Sequence, residues 1–430
     1  MSNHNLLTTE SLKTILPVLE DSIVEQLKTE TIKQVEPMDD DIPMVFLTGL
    51  FPASKTYVKG ELEYISKTDR FHAYTYIKLQ GTSTIALPKK NIAFSLYSDE
   101  TRIMKLNKEF KSWGAHNNFV IKADYNDILR ARNVVCAKLW SKVAASRSDY
   151  DTLPEELRNS PNNGAIDGFP VKVYVNGEYY GLCNWTIPKC DWMFGMSSKN
   201  PNHAVLCAEV NDNGDEALRY NPCNFSAQWS GVDGEFWSVE VGAVSDVLIQ
   251  QTNLMYWYCL EGNIPINMNY QSVVDYFIFQ DVTLGIDGLA KNMLMATYDM
   301  ESWYLIPYDM DSTFDMHWEG YLMDYSNADI GDEPYMNRYS YLLMWLFDNP
   351  NHRENYISRY AELRNSALSE TSIISEFENY VNTYGDDVYI KDTIMYPDIP
   401  EVTTNNLEYI REFVKKRLAY LDSCYLEVNE

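Results

Sequence analysis

The change of hydrophobic pattern along this chain constrains its fold more than any other feature. Residues 44–97 contain short runs rich in β-branched and aromatic residues, separated by Gly, Pro and Ser/Thr clusters, and this pattern predicts several antiparallel strands. In about the last hundred residues, apolar side chains recur at helical spacing instead. Strands followed by helices are typical of an α+β fold rather than a doubly wound sheet.

Three local patterns add detail to this prediction. Valines alternate over residues 171–175 and lead to Asn176-Gly177, a dipeptide that favours a tight hairpin turn. A helix with a buried face is predicted over residues 126–146. Before the strands, apolar residues at spacings of three and four predict an amphipathic helix over residues 9–35, and a linker with an acidic run follows it.

Composition and charge restrict the class of protein. The 430 residues are 45% hydrophobic, which suffices for a large core, and their formal net charge of -27 disfavours nucleic acid and anionic membranes as partners. A divalent cation or a basic segment of a protein suits this charge, although acidity also serves solubility alone. We predict neither a membrane span nor a signal peptide, and the seven scattered cysteines indicate reduced thiols in a cytoplasmic setting.

The most informative segment covers residues 273–314, where two acidic clusters flank an apolar, hairpin-like stretch. Asp287 and Asn292 have the spacing of the Asp and Asn in the protein-kinase catalytic loop, and Asp309 and Asp311 follow an apolar strand, like the metal-binding Asp of D-F-G. Phosphoryl transfer needs such oxygen ligands for a cation and a carboxylate near the attacking hydroxyl. The alternative interpretation is that these aspartates cap turns.

Two further segments carry candidate ligands for a phosphate group. In G-T-S-T-I-A-L-P-K-K-N, the loop of Gly81, Thr82 and Ser83 offers backbone amides, and Lys89 or Lys90 offers a cation. An ordinary hairpin loop with solvated lysines explains the same residues.

In D-I-L-R-A-R-N, Arg132 stands at the start of the predicted helix, where a ligand role and a structural salt bridge are both open. The six dispersed histidines form neither an H-E-x-x-H motif nor a catalytic triad, which argues against zinc or triad hydrolase chemistry.

Taken in order, these motifs resemble those of the CotH family of spore-coat kinases, an atypical branch of the protein-kinase-like fold. The matching segments lie within residues 79–314 and include the N-G-E-Y-Y-G-L hairpin, I-D-G-L-A-K-N and W-Y-L-I-P-Y-D-M-D-S-T-F. The resemblance implies a bilobal fold with a β-rich nucleotide-binding lobe at residues 44–190 and a catalytic, mainly helical lobe at residues 191–430. The helix predicted within residues 1–38 lies outside the family core and is interpreted as an oligomerisation segment.

The resemblance also implies an activity, namely ATP- and metal-dependent phosphorylation of Ser or Thr in a protein. Asp287 and Asp309 are then the catalytic residues, and Asn292, Asp309 and Asp311 hold Mg²⁺, with Mn²⁺ or Ca²⁺ as alternatives. The residues assigned to the nucleotide are Gly81, Thr82, Ser83, Lys89, Lys90 and Arg132.

The chain departs from the family pattern at two places. Asp315 replaces the glycine that often ends D-x-D-x-x-F-G, and Lys189 lies where many relatives carry an acidic residue.

Two other functions remain open on sequence grounds. One is a structural or assembly protein of a virion or surface that keeps the kinase-like fold without transfer activity, and the amphipathic N-terminal helix favours it because such a helix needs a partner. The other is AMP transfer to a hydroxyl, which uses similar ligands. For the kinase, we predict a protein substrate with a basic Ser/Thr-rich segment and a cytoplasmic location, with incorporation into a spore or virion assembly as an option.

Overall fold

The computed structural model describes residues 42–81, 83–210, 237–243, 248, 268–328, 341–400 and 405–426. The predicted N-terminal helix and Thr82 lie outside these residues, so both remain predictions.

The first strands close into a seven-stranded barrel in the order β1-β2-β3-β4-β7-β9-β8. Neighbouring strands are antiparallel, except that β1 and β8 pair in parallel. The strands of this part are β1 (Met44–Gly49), β2 (Val58–Ile65), β3 (Arg70–Gln80), β4 (Asn91–Tyr97), the short β5 (Lys108–Glu109) and β6 (Ala115–His116), β7 (Asn118–Lys122), β8 (Gly168–Val175) and β9 (Glu178–Thr186).

The barrel closes because alternate side chains point inward and fill it. Buried and partly buried positions alternate along β3 and β4, the period that a strand with one buried face requires. Trp185 lies in the interior with its ring centroid 4.9 Å from that of Phe94 and 5.1 Å from those of Phe110 and Phe119. Aromatic side chains of this size fill a small barrel without leaving a channel.

The predicted hairpin is present as β8 and β9. Both turn residues have the positive φ that a tight hairpin turn needs, 51° at Asn176 and 90° at Gly177. The Asn176 amide also joins the hairpin to β1, since it donates to the Gly49 carbonyl at 3.0 Å and accepts from the Gly49 N–H at 2.9 Å. The turn therefore helps to close the barrel.

Beyond the barrel, four more strands form an antiparallel sheet in the order β11-β10-β12-β13. They are β10 (Ala204–Ala208), β11 (Trp237–Val241), β12 (Met293–Thr297) and β13 (Trp303–Pro307). The helices are α1 (Arg132–Ala145), α2 (Glu155–Asn159), α3 (Tyr270–Thr283), α4 (Tyr341–Asp348), α5 (Pro350–Arg364), α6 (Glu370–Val381), α7 (Gly385–Met395) and α8 (Leu407–Tyr425). The structure thus confirms an α+β fold.

Helix α1 begins later than its pattern predicted. The Asp127 carboxylate accepts hydrogen bonds from the N–H groups of Ala131 and Arg132, both at 2.8 Å, and so caps the first turn from four and five residues upstream. Residues 128–130, between Asp127 and Ala131, form a turn rather than a helix.

Helix α3 lies in the core and leads into the site. Every side chain from Ser272 to Thr283 is buried, as expected for a helix that is surrounded by other elements. It packs against β13, α1 and α5. Within the described part of the chain, no helix is both long enough and apolar enough to cross a membrane.

Candidate functional site

The register of the β12–β13 hairpin brings two predicted site residues together. Met293 pairs with Pro307, so Asn292, just before β12, and Asp309, just after β13, flank the same end of the hairpin. Both have left-handed backbone conformations, with φ of 52° and 55°. Asn and Asp tolerate this conformation better than other residues with a side chain, and such backbones often occur at functional sites.

Asp287 is held by the helix that precedes it. It lies in a 3-10 turn, Ile286–Gly288, just after α3. The Tyr276 hydroxyl donates to the Gly288 carbonyl at 2.7 Å, and a Cβ atom at position 288 would lie only 2.5 Å from the Gln280 amide nitrogen. The buried side chains of α3 therefore fix the turn that carries Asp287.

A lysine that the sequence did not single out reaches this site from the barrel. Lys122 ends β7, and its Nζ lies 3.3 Å from Asp309 Oδ1. Burial acts to lower the pKa of Lys122, but Asp309, with Tyr308, Asp124 and Asp311, outweighs burial and raises that pKa. The only sequence signal is a lysine at the end of the short apolar run F-V-I, residues 119–121.

The two aspartates after β13 differ in their proton affinity. Burial acts to raise the pKa of Asp309, but the Lys122 ammonium, together with Lys189 and Lys291, outweighs burial and holds that pKa below its usual range. Burial and the Asp309 carboxylate raise the pKa of Asp311 well above its ordinary value, and Asp124 and Asp287 add to this. Two neighbouring carboxylates with divergent pKa values are typical of functional sites.

The types of side chain at this end of the hairpin fit a divalent cation. Asn292, Asp309 and Asp311 offer one amide and two carboxylate groups, which are the ligands that Mg²⁺ and Ca²⁺ take. A bound cation would also favour the ionised form of Asp311. We call the four aspartates at this place, together with the two lysines beside them, the acidic cluster: Asp124, Asp287, Asp309 and Asp311, with Lys122 and Lys291.

Lys89 and Lys90, predicted to face phosphate, are engaged by the protein itself. The buried Lys89 ammonium donates to the Leu182 carbonyl at 2.5 Å and to Asp392 Oδ1 at 3.0 Å. Lys90 Nζ donates to the carbonyls of Ile85 and Leu87 at 2.6 and 2.8 Å, within the loop that follows Gly81. These contacts favour a structural role for both lysines.

Arg132 is likewise buried, and its guanidinium binds three protein groups. It donates to Asp127 Oδ1 at 2.5 Å, to the Thr313 carbonyl at 2.9 Å and to Asn405 Oδ1 at 2.6 Å. The adjacent Asn133 accepts from the Met310 N–H at 3.1 Å. The D-I-L-R-A-R-N segment therefore holds the D-M-D-S-T-F loop in place, which favours the structural interpretation of Arg132.

Lys189, one of the two departures from the family pattern, has an acidic partner of its own. Its Nζ lies 2.7 Å from Glu240 Oε1 on β11 and 4.7 Å from the centre of the Tyr308 ring. The Ser238 hydroxyl donates to Glu240 at 2.6 Å. This pair links the chain after β9 to the second sheet, beside the acidic cluster.

The family assignment now follows from comparison with known proteins. A family model described as CotH kinase protein matches residues 77–421, which run from β3 to α8 and include the acidic cluster. A comparison with curated proteins gives no match. Because the matched segment covers most of the sequence, this chain belongs to the CotH kinase protein family.

Proposed function

We propose that this protein is an ATP- and metal-dependent kinase that transfers the γ-phosphate to Ser or Thr of a protein. The single observation that carries the proposal is the acidic cluster, in which Lys122 Nζ lies 3.3 Å from Asp309 Oδ1 and the charges of Asp309 and Asp287 both act on Asp311. In this proposal the barrel and the second sheet with its helices act as the two lobes of a kinase-like fold, and the nucleotide lies between them.

The proposed roles follow from the groups available at the cluster. Asn292, Asp309 and Asp311 would hold Mg²⁺, or Mn²⁺ or Ca²⁺ in its place, and a bound cation supplies charge neutralisation of the phosphates. Lys122 orients Asp309 and offers its remaining N–H donors to the phosphate chain. Little covalent chemistry is required of the protein, so positioning and charge account for most of the catalysis.

Asp287 is proposed to act on the acceptor hydroxyl. The acceptor oxygen forms a bond to the γ-phosphorus, the bond from that phosphorus to the β–γ bridging oxygen breaks, and ADP leaves with that oxygen. The hydroxyl proton passes to the Asp287 carboxylate. Lys291 lies beside this carboxylate, with its Nζ 3.5 Å from Asp287 Oδ1.

The net charge of -27 supports a protein acceptor with a basic Ser/Thr-rich segment rather than a nucleic acid. A basic segment is attracted to the acidic surface, whereas a phosphate backbone is repelled by it.

Intact mass spectrometry tests the proposal. The purified chain and casein are incubated with ATP and Mg²⁺, together with Asp309→Ala and the exposed control Asp151→Ala. We expect additions of about 80 Da, the mass of a phosphate group, with the wild type and Asp151→Ala but not with Asp309→Ala.

Additions of about 329 Da would identify AMP transfer instead. No addition on either protein, together with no thermal shift on adding ATP, would contradict the kinase proposal and favour the assembly protein.

A further inference from the structure

The segment that follows the D-M-D-S-T-F motif forms a loop with a fixed base. The Asp315 carboxylate accepts hydrogen bonds from the N–H groups of Asp324 at 2.9 Å and Tyr325 at 2.8 Å, and also from the Tyr409 hydroxyl. The Met323 N–H donates to the Asp315 carbonyl at 3.0 Å. An aspartate in place of the usual glycine thus closes the loop on itself.

The tip of this loop is also ordered by its own contacts. The His317 N–H donates to the Tyr321 carbonyl at 2.9 Å, and the two rings stack with their centroids 4.3 Å apart. The Asn126 amide donates to the Trp318 carbonyl at 2.8 Å, which fixes the tip against the segment after β7. The loop therefore presents its side chains in defined positions.

One large apolar side chain on the tip remains open to solvent. Trp318 is 49% exposed, although Met316, two residues before it, is buried. An exposed indole makes fewer packing contacts with its own protein than a buried one. Tryptophan is also among the residues that contribute most to binding when a partner covers it.

Trp318 lines the same pocket as the proposed catalytic carboxylate. The pocket measures about 50 Å³, and its walls include Asp287, Ser312, Met316, His317, Trp318 and Met323. Since a cavity needs about 10–15 Å³ to hold one water, the pocket has room for the hydroxymethyl or hydroxyethyl group of an acceptor. An acceptor hydroxyl that enters this pocket leaves the neighbouring residue of the same segment outside, against the indole.

We propose that Trp318 is a docking platform for an apolar side chain that flanks the acceptor Ser or Thr in an extended protein segment. The inference rests on the proposed function, because the acceptor hydroxyl is placed at Asp287. Charge complementarity limits the occupant further. The carboxylates of Asp287, Asp311 and the exposed Glu319 lie at or near the pocket, so acidic residues beside the acceptor are disfavoured.

Two fluorescent peptides test the platform: G-K-F-S-F-K-G and its counterpart G-K-A-S-A-K-G. Binding is measured by fluorescence anisotropy, and phosphate transfer is measured separately by mass spectrometry with ATP and Mg²⁺. We expect the wild type to bind the first peptide about tenfold more tightly, as for a well-packed aromatic contact. The ratio of kcat/KM for the two peptides should show the same preference.

Variants then assign the preference to the indole. Trp318→Ala should bring the ratio close to one, whereas Trp318→Phe should retain most of it. The control is Tyr57→Ala, which removes an aromatic side chain of similar exposure, 51%, from the loop between β1 and β2 and should leave the ratio as in the wild type.

The two measurements separate the platform from the kinase activity. Phosphate transfer without a preference for the first peptide overturns the platform and leaves the proposed function intact. A binding preference without transfer to the peptides or to casein overturns the kinase, and Trp318 is then a docking site for a peptide that is not phosphorylated. The platform is also overturned if Trp318→Ala shows the same ratio of affinities for the two peptides as the wild type. The same holds if the wild type binds neither peptide.

Discussion

At the scale of single residues, Lys122 is the group on which the proposed chemistry depends most. Its side chain is only 9% exposed, and burying an ammonium group costs free energy unless a charged partner compensates for it. Asp309 is that partner, and the Tyr308 ring lies 5.9 Å from the ammonium. The arrangement keeps a cation beside a carboxylate that is proposed to bind metal.

Substitution of this lysine should reduce phosphate transfer. We expect Lys122→Ala to lower kcat by about 10²–10³-fold, the usual effect of removing one preorganised charged donor. Lys90→Ala should lower it by less than about tenfold, because the Lys90 ammonium serves the Ile85 and Leu87 carbonyls. Steady-state kinetics of the two variants check this, and a larger loss in Lys90→Ala would contradict it.

At the scale of elements, a buried charge network ties α7 to the barrel. Asp392 of α7 accepts from Lys89 at 3.0 Å, from Arg130 at 2.6 Å and from the Leu182 N–H of β9 at 2.8 Å. Burial acts to raise the pKa of Asp392, but the two cations outweigh it and lower that pKa. The ionised carboxylate therefore joins α7 to three other segments that are far from it in sequence.

Removal of this carboxylate should destabilise the fold strongly. Asp392→Ala leaves two buried cations without their partner, for which a loss of about 3–5 kcal/mol in the free energy of unfolding is expected. The control Glu63→Ala breaks the exposed Arg70–Glu63 pair and should cost less than about 1 kcal/mol. Urea denaturation followed by tryptophan fluorescence measures both, and similar losses in the two variants would refute the network's role.

A histidine between three helices should make stability depend on pH. His352 of α5 lies 3.2 Å from the Tyr270 hydroxyl of α3, and its ring centroid is 4.5 Å from that of Trp345 of α4. Burial lowers the pKa of His352 below its ordinary value of 6.5. The folded chain then binds fewer protons here than the unfolded chain, so this contribution is present above the ordinary pKa and is lost as the pH falls below it.

The corresponding measurement compares the wild type with His352→Gln. We expect the free energy of unfolding of the wild type to fall relative to the variant between about pH 7.5 and about pH 5.5. A difference between the two proteins that stays constant over this range would show that His352 does not titrate differently in the folded state.

At the scale of the whole molecule, the site joins two sheets that have no strand in common. Lys122 belongs to the barrel, whereas Asp309 follows the last strand of the second sheet. A ligand that binds between them should stabilise the folded protein as a whole, because it binds the native state and not the unfolded chain.

The thermal midpoint should therefore rise with Mg²⁺ and ATP together. At a free ligand concentration of about 100 times the dissociation constant, the expected stabilisation is about 2.7 kcal/mol. EDTA should remove this increment, and Asp309→Ala should abolish it. Differential scanning fluorimetry provides the measurement, and a full increment in the presence of EDTA would rule out a metal-dependent nucleotide site.

Parts of the fold could be predicted because their determinants are local. The β8–β9 hairpin depends on Asn176 and Gly177, whose conformations suit the turn. Of the second sheet, the sequence predicts only the apolar, hairpin-like stretch before Asp309. Its strands β10 and β11 are five residues each, and periodicity alone does not distinguish runs of this length from buried helix.

The sequence by itself determined the α+β class and the family resemblance. It also determined the spacing of Asp287, Asn292 and Asp309, because short chain separations and a single hairpin bring these three residues to one region. Only the tertiary structure decided which lysine joins them. Lys122 and Asp309 are 187 positions apart, and Lys89 and Asp392 are 303 apart. The energy of an ion pair depends on the distance between the charges and on their burial. Neither quantity can be predicted from the few residues around a lysine in the sequence.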